Sequence, residues 1–188
     1  LKDELLGNMV LLRGFSKLPD MPSMSQRYKL RPAGIAAYPM YRGLASLCGM
    51  EIIDTGETFK EEVETLTQSY DGHDFFFIHY KPADAAGEDG DFDEKVKALE
   101  ALDVELPNIV KLNPEVLVIA GDHSAPAVLA GHSWHPVPFI LRSMYCRPDD
   151  MKRLTERECM VGSFGQLPAT SLMFLALGHA GKLAKYGP

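Results

Sequence analysis

Long apolar runs are missing from this 188-residue chain. A membrane-spanning helix needs roughly 20 consecutive apolar residues. The longest stretches here, around Val116–Ala120 and Leu172–Leu177, match a strand or one face of a helix. Basic residues are outnumbered, 19 Lys and Arg against 26 Asp and Glu, so the net charge is −7. With no basic cluster to neutralise a phosphate backbone, a nucleic-acid partner is disfavoured. Cysteine is scarce: Cys48, Cys146 and Cys159 are odd in number, widely spaced and form no C-x-x-C pair. That pattern argues against a disulfide framework or a zinc knuckle and fits a reducing cytoplasm. The opening Leu-Lys-Asp-Glu-Leu-Leu-Gly has neither an initiator Met nor the layout of a signal peptide. It reads as a start partway through a helix, and so as a piece of something longer.

What remains is ordinary for a soluble globular chain: 46% hydrophobic and 24% charged residues, enough for one domain with a proper core. Short apolar runs alternate with longer amphipathic ones, which predicts a layered α/β fold. Strands are expected at Met9–Arg13, Gly34–Tyr38, Glu51–Asp54, Asp74–Tyr80, Glu115–Ala120 and Val137–Arg142. Several are apolar on both faces, as strands covered by helices on each side are. Helices are expected at Tyr41–Cys48, stopping at a left-handed Gly49, and at Phe59–Tyr70. The clearest is Phe92–Val110, where Phe92, Val96, Leu99, Leu102, Leu106 and Ile109 recur at helical spacing as one stripe. Pro107 removes a backbone donor there and predicts a kink or an early end. A final helix is expected over Ala169–Lys185, and nothing divides the chain, so one domain is expected over 1–188.

Three segments concentrate chemistry. Gly121-Asp122-His123-Ser124 directly follows an apolar strand, and in open α/β sheets ligands bind at the carboxyl ends of strands. An acidic oxygen beside an imidazole suits a divalent metal, although the same tetrapeptide also suits a helix cap with a hydrogen-bonded His123. Soon after comes His132-Ser133-Trp134-His135-Pro136-Val137-Pro138, two histidines in a proline-stiffened loop entering the next strand. The third segment runs from Asp84 to Glu94 and holds six acids in eleven residues, read as an acidic loop. A helix N-terminus accounts for Asp93 and Glu94 but not for Asp84 and Glu88. A calcium loop over Asp89–Glu100 fails on its sixth position, which is Glu94 where glycine is required.

Together these segments resemble the archaeal-type cofactor-independent phosphoglycerate mutases, members of the alkaline phosphatase superfamily. The resemblance covers nearly the whole chain, from Asn8-Met9 and Leu12-Arg13-Gly14 to the ending Lys185-Tyr186-Gly187. Its most specific motifs are Gly-Asp-His-Ser and His-Ser-Trp-His-Pro-Val-Pro. It implies an α/β/α sandwich, the metal-binding, phosphatase-like domain of that superfamily, with 1–188 as its C-terminal portion. It implies two divalent ions and no organic cofactor. One ion is expected at Asp84, Glu88 and His132, the other at Asp122 and His123. An Asp and a Ser or Thr nucleophile from an N-terminal part of the same protein would complete the second site. Glu88 stands where the family usually has His, which hardens the site toward Mn²⁺ or Mg²⁺ rather than Zn²⁺. No Ser here lies in a motif matching the nucleophile, so this chain alone is expected to be inactive. The implied reaction is interconversion of 3- and 2-phosphoglycerate, with Arg13 and Arg42 as candidates to grip substrate phosphate or carboxylate. A phosphohydrolase on the same metal chassis, or a non-catalytic chain with a vestigial metal site, are the alternatives.

Overall fold

A computed structural model describes residues 9–12 and 14–183. Residues 9–12, expected as a strand, are exposed and without regular structure. They have no neighbouring strand to bond to among the described residues. Arg13 and the Lys185-Tyr186-Gly187 ending lie outside the described residues.

The first regular element is α1, Met24–Tyr28, which the sequence reading missed. Its signal was legible: Ser23 accepts from the Gln26 N–H and the Gln26 side chain returns to the Ser23 N–H, a capping box. Then follow β1 (Pro32–Ile35), α2 (Pro39–Leu47), β2 (Glu51–Ile52), α3 (Phe59–Ser69) and β3 (Phe75–Ile78). Proline at the first position starts α2 before Tyr41, and Gly49 at φ +76° closes it as expected. β1 is the centre of a parallel sheet of order β2-β1-β3. All four of its residues are buried.

Side chains alternate across a strand, and β1 displays the layers directly. A Cβ on Gly34 would stand 2.9 Å from the Ala45 Cβ, so that face carries α2. Ile35, on the other face, packs with Val63, Leu66 and Ile109 of the helices opposite. The sheet is therefore covered on both sides, which gives the expected α/β/α layering. Burying Ile35 completely contributes about 1.5–3 kcal/mol.

Beyond β3 the chain forms α4 (Pro82–Glu88) and α5 (Phe92–Lys111). The segment expected as an acidic loop is thus a short helix, a turn at Gly90 with φ +74°, and a second helix capped by Asp91. α5 does not end at Pro107 but runs four residues further. The carbonyl that Pro107 leaves without its helical donor belongs to Asp103, and both residues are exposed, so the helix can continue where solvent is at hand. The predicted stripe holds only in the second half of α5. Phe92 and Leu99 are at least half exposed, because the first turns press Lys95 and Ala98 inward instead. There they meet α4 and the 3-10 turn at Ala127–Leu129.

β4 (Val116–Ala120) and β5 (Phe139–Ser143) form a separate antiparallel pair. α6 (Glu156–Cys159) and α7 (Ser171–His179) follow. The last helix is shorter than expected. Gly181 at φ +66° and the bonds Gly181 N–H to Gly178 O and Lys182 N–H to Leu177 O make a Schellman stop.

Candidate metal centre

Three strand ends converge. After β1 comes the turn into α2, which carries Tyr41. After β3 come His79, Tyr80 and Lys81, then α4 with Asp84 and Glu88. After β4 come Gly121, Asp122 and His123. The fourth contributor is the loop holding His132. It is pinned to the Asp-His loop by the Ser133 N–H donating to the Ser124 carbonyl at 2.9 Å.

Asp84 and Glu88 are one helical turn apart, so both carboxylates project from the same face of α4. Gly87 lets that helix sit against the Asp-His loop. A Cβ there would be 2.2 Å from the Ala125 carbonyl oxygen. Against this face stand the two imidazoles, ring centroids 4.0 Å apart. The His123 Nε2 is 3.4 Å and the His132 Nε2 3.8 Å from Asp84 Oδ1. The His132 Nε2 is also 3.1 Å from Glu88 Oε1, and the His123 Nε2 is 3.6 Å from Asp122 Oδ2. Ligand atoms of Asp84, His123 and His132 all lie within 4.8 Å of one another.

The residues present fit a divalent cation on a structural ground. Asp84 Oδ1 and His123 Nδ1 are buried and have no hydrogen-bond partner among the described residues. A buried orphan acceptor costs about 1–3 kcal/mol, and a cation facing Asp84 Oδ1 would remove that cost at that atom. Carboxylate and imidazole donors together suit Mn²⁺, Mg²⁺ or Zn²⁺ on donor type.

The surroundings tune these groups. Burial works to raise the Asp122 carboxyl, but the Tyr41 hydroxyl, which donates to its Oδ2 at 3.0 Å, and nearby His123 outweigh it and hold the carboxyl below its ordinary value. Burial, reinforced by that bond to Asp122, pushes the Tyr41 hydroxyl up. The Tyr41 ring stacks on His79 with centroids 3.3 Å apart. Burial lowers the pKa of the His79 imidazole, against the raising effect of Asp122 and Asp84. The Lys81 ammonium ion-pairs with Asp84 Oδ2 and lies 3.7 Å from Glu88 Oε2; the bond to Asp84 raises its pKa.

The metal-ligand candidates Asp84, Glu88, Asp122, His123 and His132 lie side by side. The tight group, however, is Asp84, His123 and His132, which takes one histidine from each of the two expected sites; Glu88 adjoins it at His132 and Asp122 at His123. Arg42 does not join them: its guanidinium pairs with Asp54 beyond β2. Arg13 lies outside the described residues. Sequence reasoning missed Tyr41, His79 and Lys81. Lys81 had a legible signal, three residues before an acid at a helix start. Tyr41 had none, since only folding brings it to Asp122, 81 residues away.

Known proteins are similar to this chain over its length. A Thermotoga maritima protein described as a probable 2,3-bisphosphoglycerate-independent phosphoglycerate mutase is 52% identical over 187 residues. A Thermus thermophilus protein of the same description is 51% identical over 190. Each match takes in 100% of this chain and 47% of the relative, so the chain spans about half the length of these curated relatives. A solved Pyrococcus horikoshii structure superposes with a TM-score of 0.88 at 28% identity, over 94% of this chain and 57% of that one. The cofactor-independent phosphoglycerate mutase of Thermoplasma acidophilum superposes at 0.69 and 19% identity, over 87% of this chain and 40% of its own. That second likeness speaks to the fold alone. Residues 4–179 match the Metalloenzyme superfamily, nearly the full chain, and with a carboxylate–imidazole centre at its strand ends the chain belongs to that superfamily.

Proposed function

We propose that residues 1–188 are the C-terminal portion of the phosphatase-like domain of a cofactor-independent phosphoglycerate mutase, which interconverts 3- and 2-phosphoglycerate. The observation that carries the metal part of this reading is Asp84 Oδ1, buried, unpartnered and faced by two imidazoles. Kinship at about half identity with proteins described as probable mutases supports the reaction.

In this reading Asp84, Glu88 and His132 hold one divalent ion, Mn²⁺ or Mg²⁺. Asp122 and His123 hold part of a second site, completed by an Asp and a Ser or Thr nucleophile from an N-terminal part of the protein. Bound there, such ions supply charge stabilisation to a phosphoryl group in transit. The chain's own contribution is positioning, which dominates phosphoryl transfer. Tyr41 fixes the Asp122 carboxylate, and the Ser133–Ser124 bond holds His132 against His123. Gly87 lets α4 bring Asp84 to both.

The test is phosphorus NMR of the full-length gene product incubated with 3-phosphoglycerate and Mn²⁺. Appearance of 2-phosphoglycerate is expected. Asp84→Asn, His123→Ala and His132→Ala should each lower the rate by at least about a hundredfold. Release of inorganic phosphate instead would make the protein a phosphohydrolase. No turnover of either kind by the full-length product would favour a non-catalytic metal site.

A further inference from the structure

The oxygens of the two α4 carboxylates are divided in a regular way. Asp84 turns Oδ1, and Glu88 turns Oε1, toward the histidines. Asp84 Oδ2 and Glu88 Oε2 both turn to a single ammonium, that of Lys81. The spacing makes this possible: 81, 84 and 88 are three and four residues apart and fall on one side of the helix. The Lys81 ammonium also lies over the Tyr38 ring, 5.5 Å from its centroid, and the side chain is only 28% exposed. It is therefore a localised charge beside the centre and not a solvated surface lysine.

We propose that Lys81 is the resident cation of this centre: it holds the outer oxygens of Asp84 and Glu88 and weakens divalent-ion binding between the inner ones. The inference rests on the reading of Asp84, Glu88 and His132 as metal ligands and goes beyond it. Two carboxylates on one helical turn repel each other. Lys81 offsets one of their two charges and fixes which oxygen of each faces the imidazoles. The same positive charge opposes an incoming divalent ion by Coulomb repulsion. Lys81 is a positioning residue here, acting through the two carboxylates, and it sets how readily the ion comes off.

The proposal is tested on the full-length protein by calorimetric titration with Mn²⁺ and by melting of the metal-free form. Lys81→Met is expected to bind Mn²⁺ roughly tenfold tighter while its metal-free form melts at a lower temperature. Lys81→Arg, which keeps the charge, should resemble wild type in both. Lys81→Gln, neutral but polar, repeats the measurement if the Met variant does not fold. The inference is overturned if the neutral variants bind Mn²⁺ no more tightly than wild type, or if their metal-free forms melt no lower. Arginine behaving like methionine overturns it as well. A His132→Ala control separates the two readings. If wild type binds no Mn²⁺, or binds it equally after that substitution, the ligand assignment itself fails and the role of Lys81 falls with it.

Discussion

Glu62 illustrates how one buried oxygen sets a pH dependence. It sits on α3 at 3% exposure, its Oε1 accepting from the Ala37 N–H at 2.7 Å at the end of β1. Its Oε2 has no partner among the described residues. Burial raises the carboxyl from its ordinary 4.5 to about 7, against the lowering effect of the Ala37 N–H. Because the folded state holds this proton more tightly than the unfolded chain, the sign is unusual for an acid. The contribution of Glu62 to stability is fully present below pH 4.5, falls as pH rises from there, and is lost above about 7. Glu62→Gln should remove this fall and be more stable at pH 8 by about 1–3 kcal/mol. Urea unfolding at pH 5 and pH 8 measures it, and an undiminished pH slope in the variant would contradict the assignment. The ligand candidates were legible at this scale because short motifs such as Gly-Asp-His-Ser carry a family resemblance in their residue types alone. Tyr41 and His79 were not, since a tyrosine near a helix start carries no sign of what its hydroxyl will meet.

At the scale of elements, α4 is where reading and structure parted most usefully. Six acids in eleven residues suggested an acidic loop, solvated or neutralised by a cation. The helix forms because Pro82 pre-sets its first turn, alanines fill it, and Asp84 favours its positive end. Being helical is what puts Asp84 and Glu88 on one face. The seat of α4 against the Asp-His loop depends on Gly87, whose missing Cβ leaves room for the Ala125 carbonyl. Gly87→Ala is expected to cost about 1–3 kcal/mol by overpacking. It should also weaken Mn²⁺ binding, because Asp84 and His123 stand on the two elements it forces apart. Denaturant melts and a Mn²⁺ titration on one preparation check both effects. A variant equally stable and equally tight in metal would show that the loop moves freely away.

Over the whole molecule, β1 is buried throughout while β3 and β4, just as apolar, are only partly covered. Met9–Leu12 and Phe15 are strongly exposed. Such apolar surface ordinarily marks an interaction site. In a chain about half the length of its relatives, it fits burial against the N-terminal part that the proposed function invokes. The candidate centre draws its carboxylates and imidazoles from α4 and two later loops, so its formation requires the tertiary fold. Mn²⁺ should accordingly stabilise the folded chain, by about 2.7 kcal/mol at a concentration a hundred times the dissociation constant. Thermal melts with and without millimolar Mn²⁺ measure this. Wild type should gain several degrees, and Asp84→Asn should gain almost nothing. An equal gain in both would place the ion elsewhere.

The sequence by itself determined the α/β class, the approximate positions of the five strands (β1 starts two residues earlier than expected), and the residue types able to bind a cation. These are local properties: periodicity, apolar runs, and the pairing of acid with imidazole in short motifs. It did not determine that residues 9–12 lack a strand or that Tyr41 meets Asp122. Those outcomes depend on neighbours far along the chain, such as a partner strand or a carboxylate 81 residues away. Only the tertiary structure brings those neighbours to within bonding distance, and the physics of the site begins there.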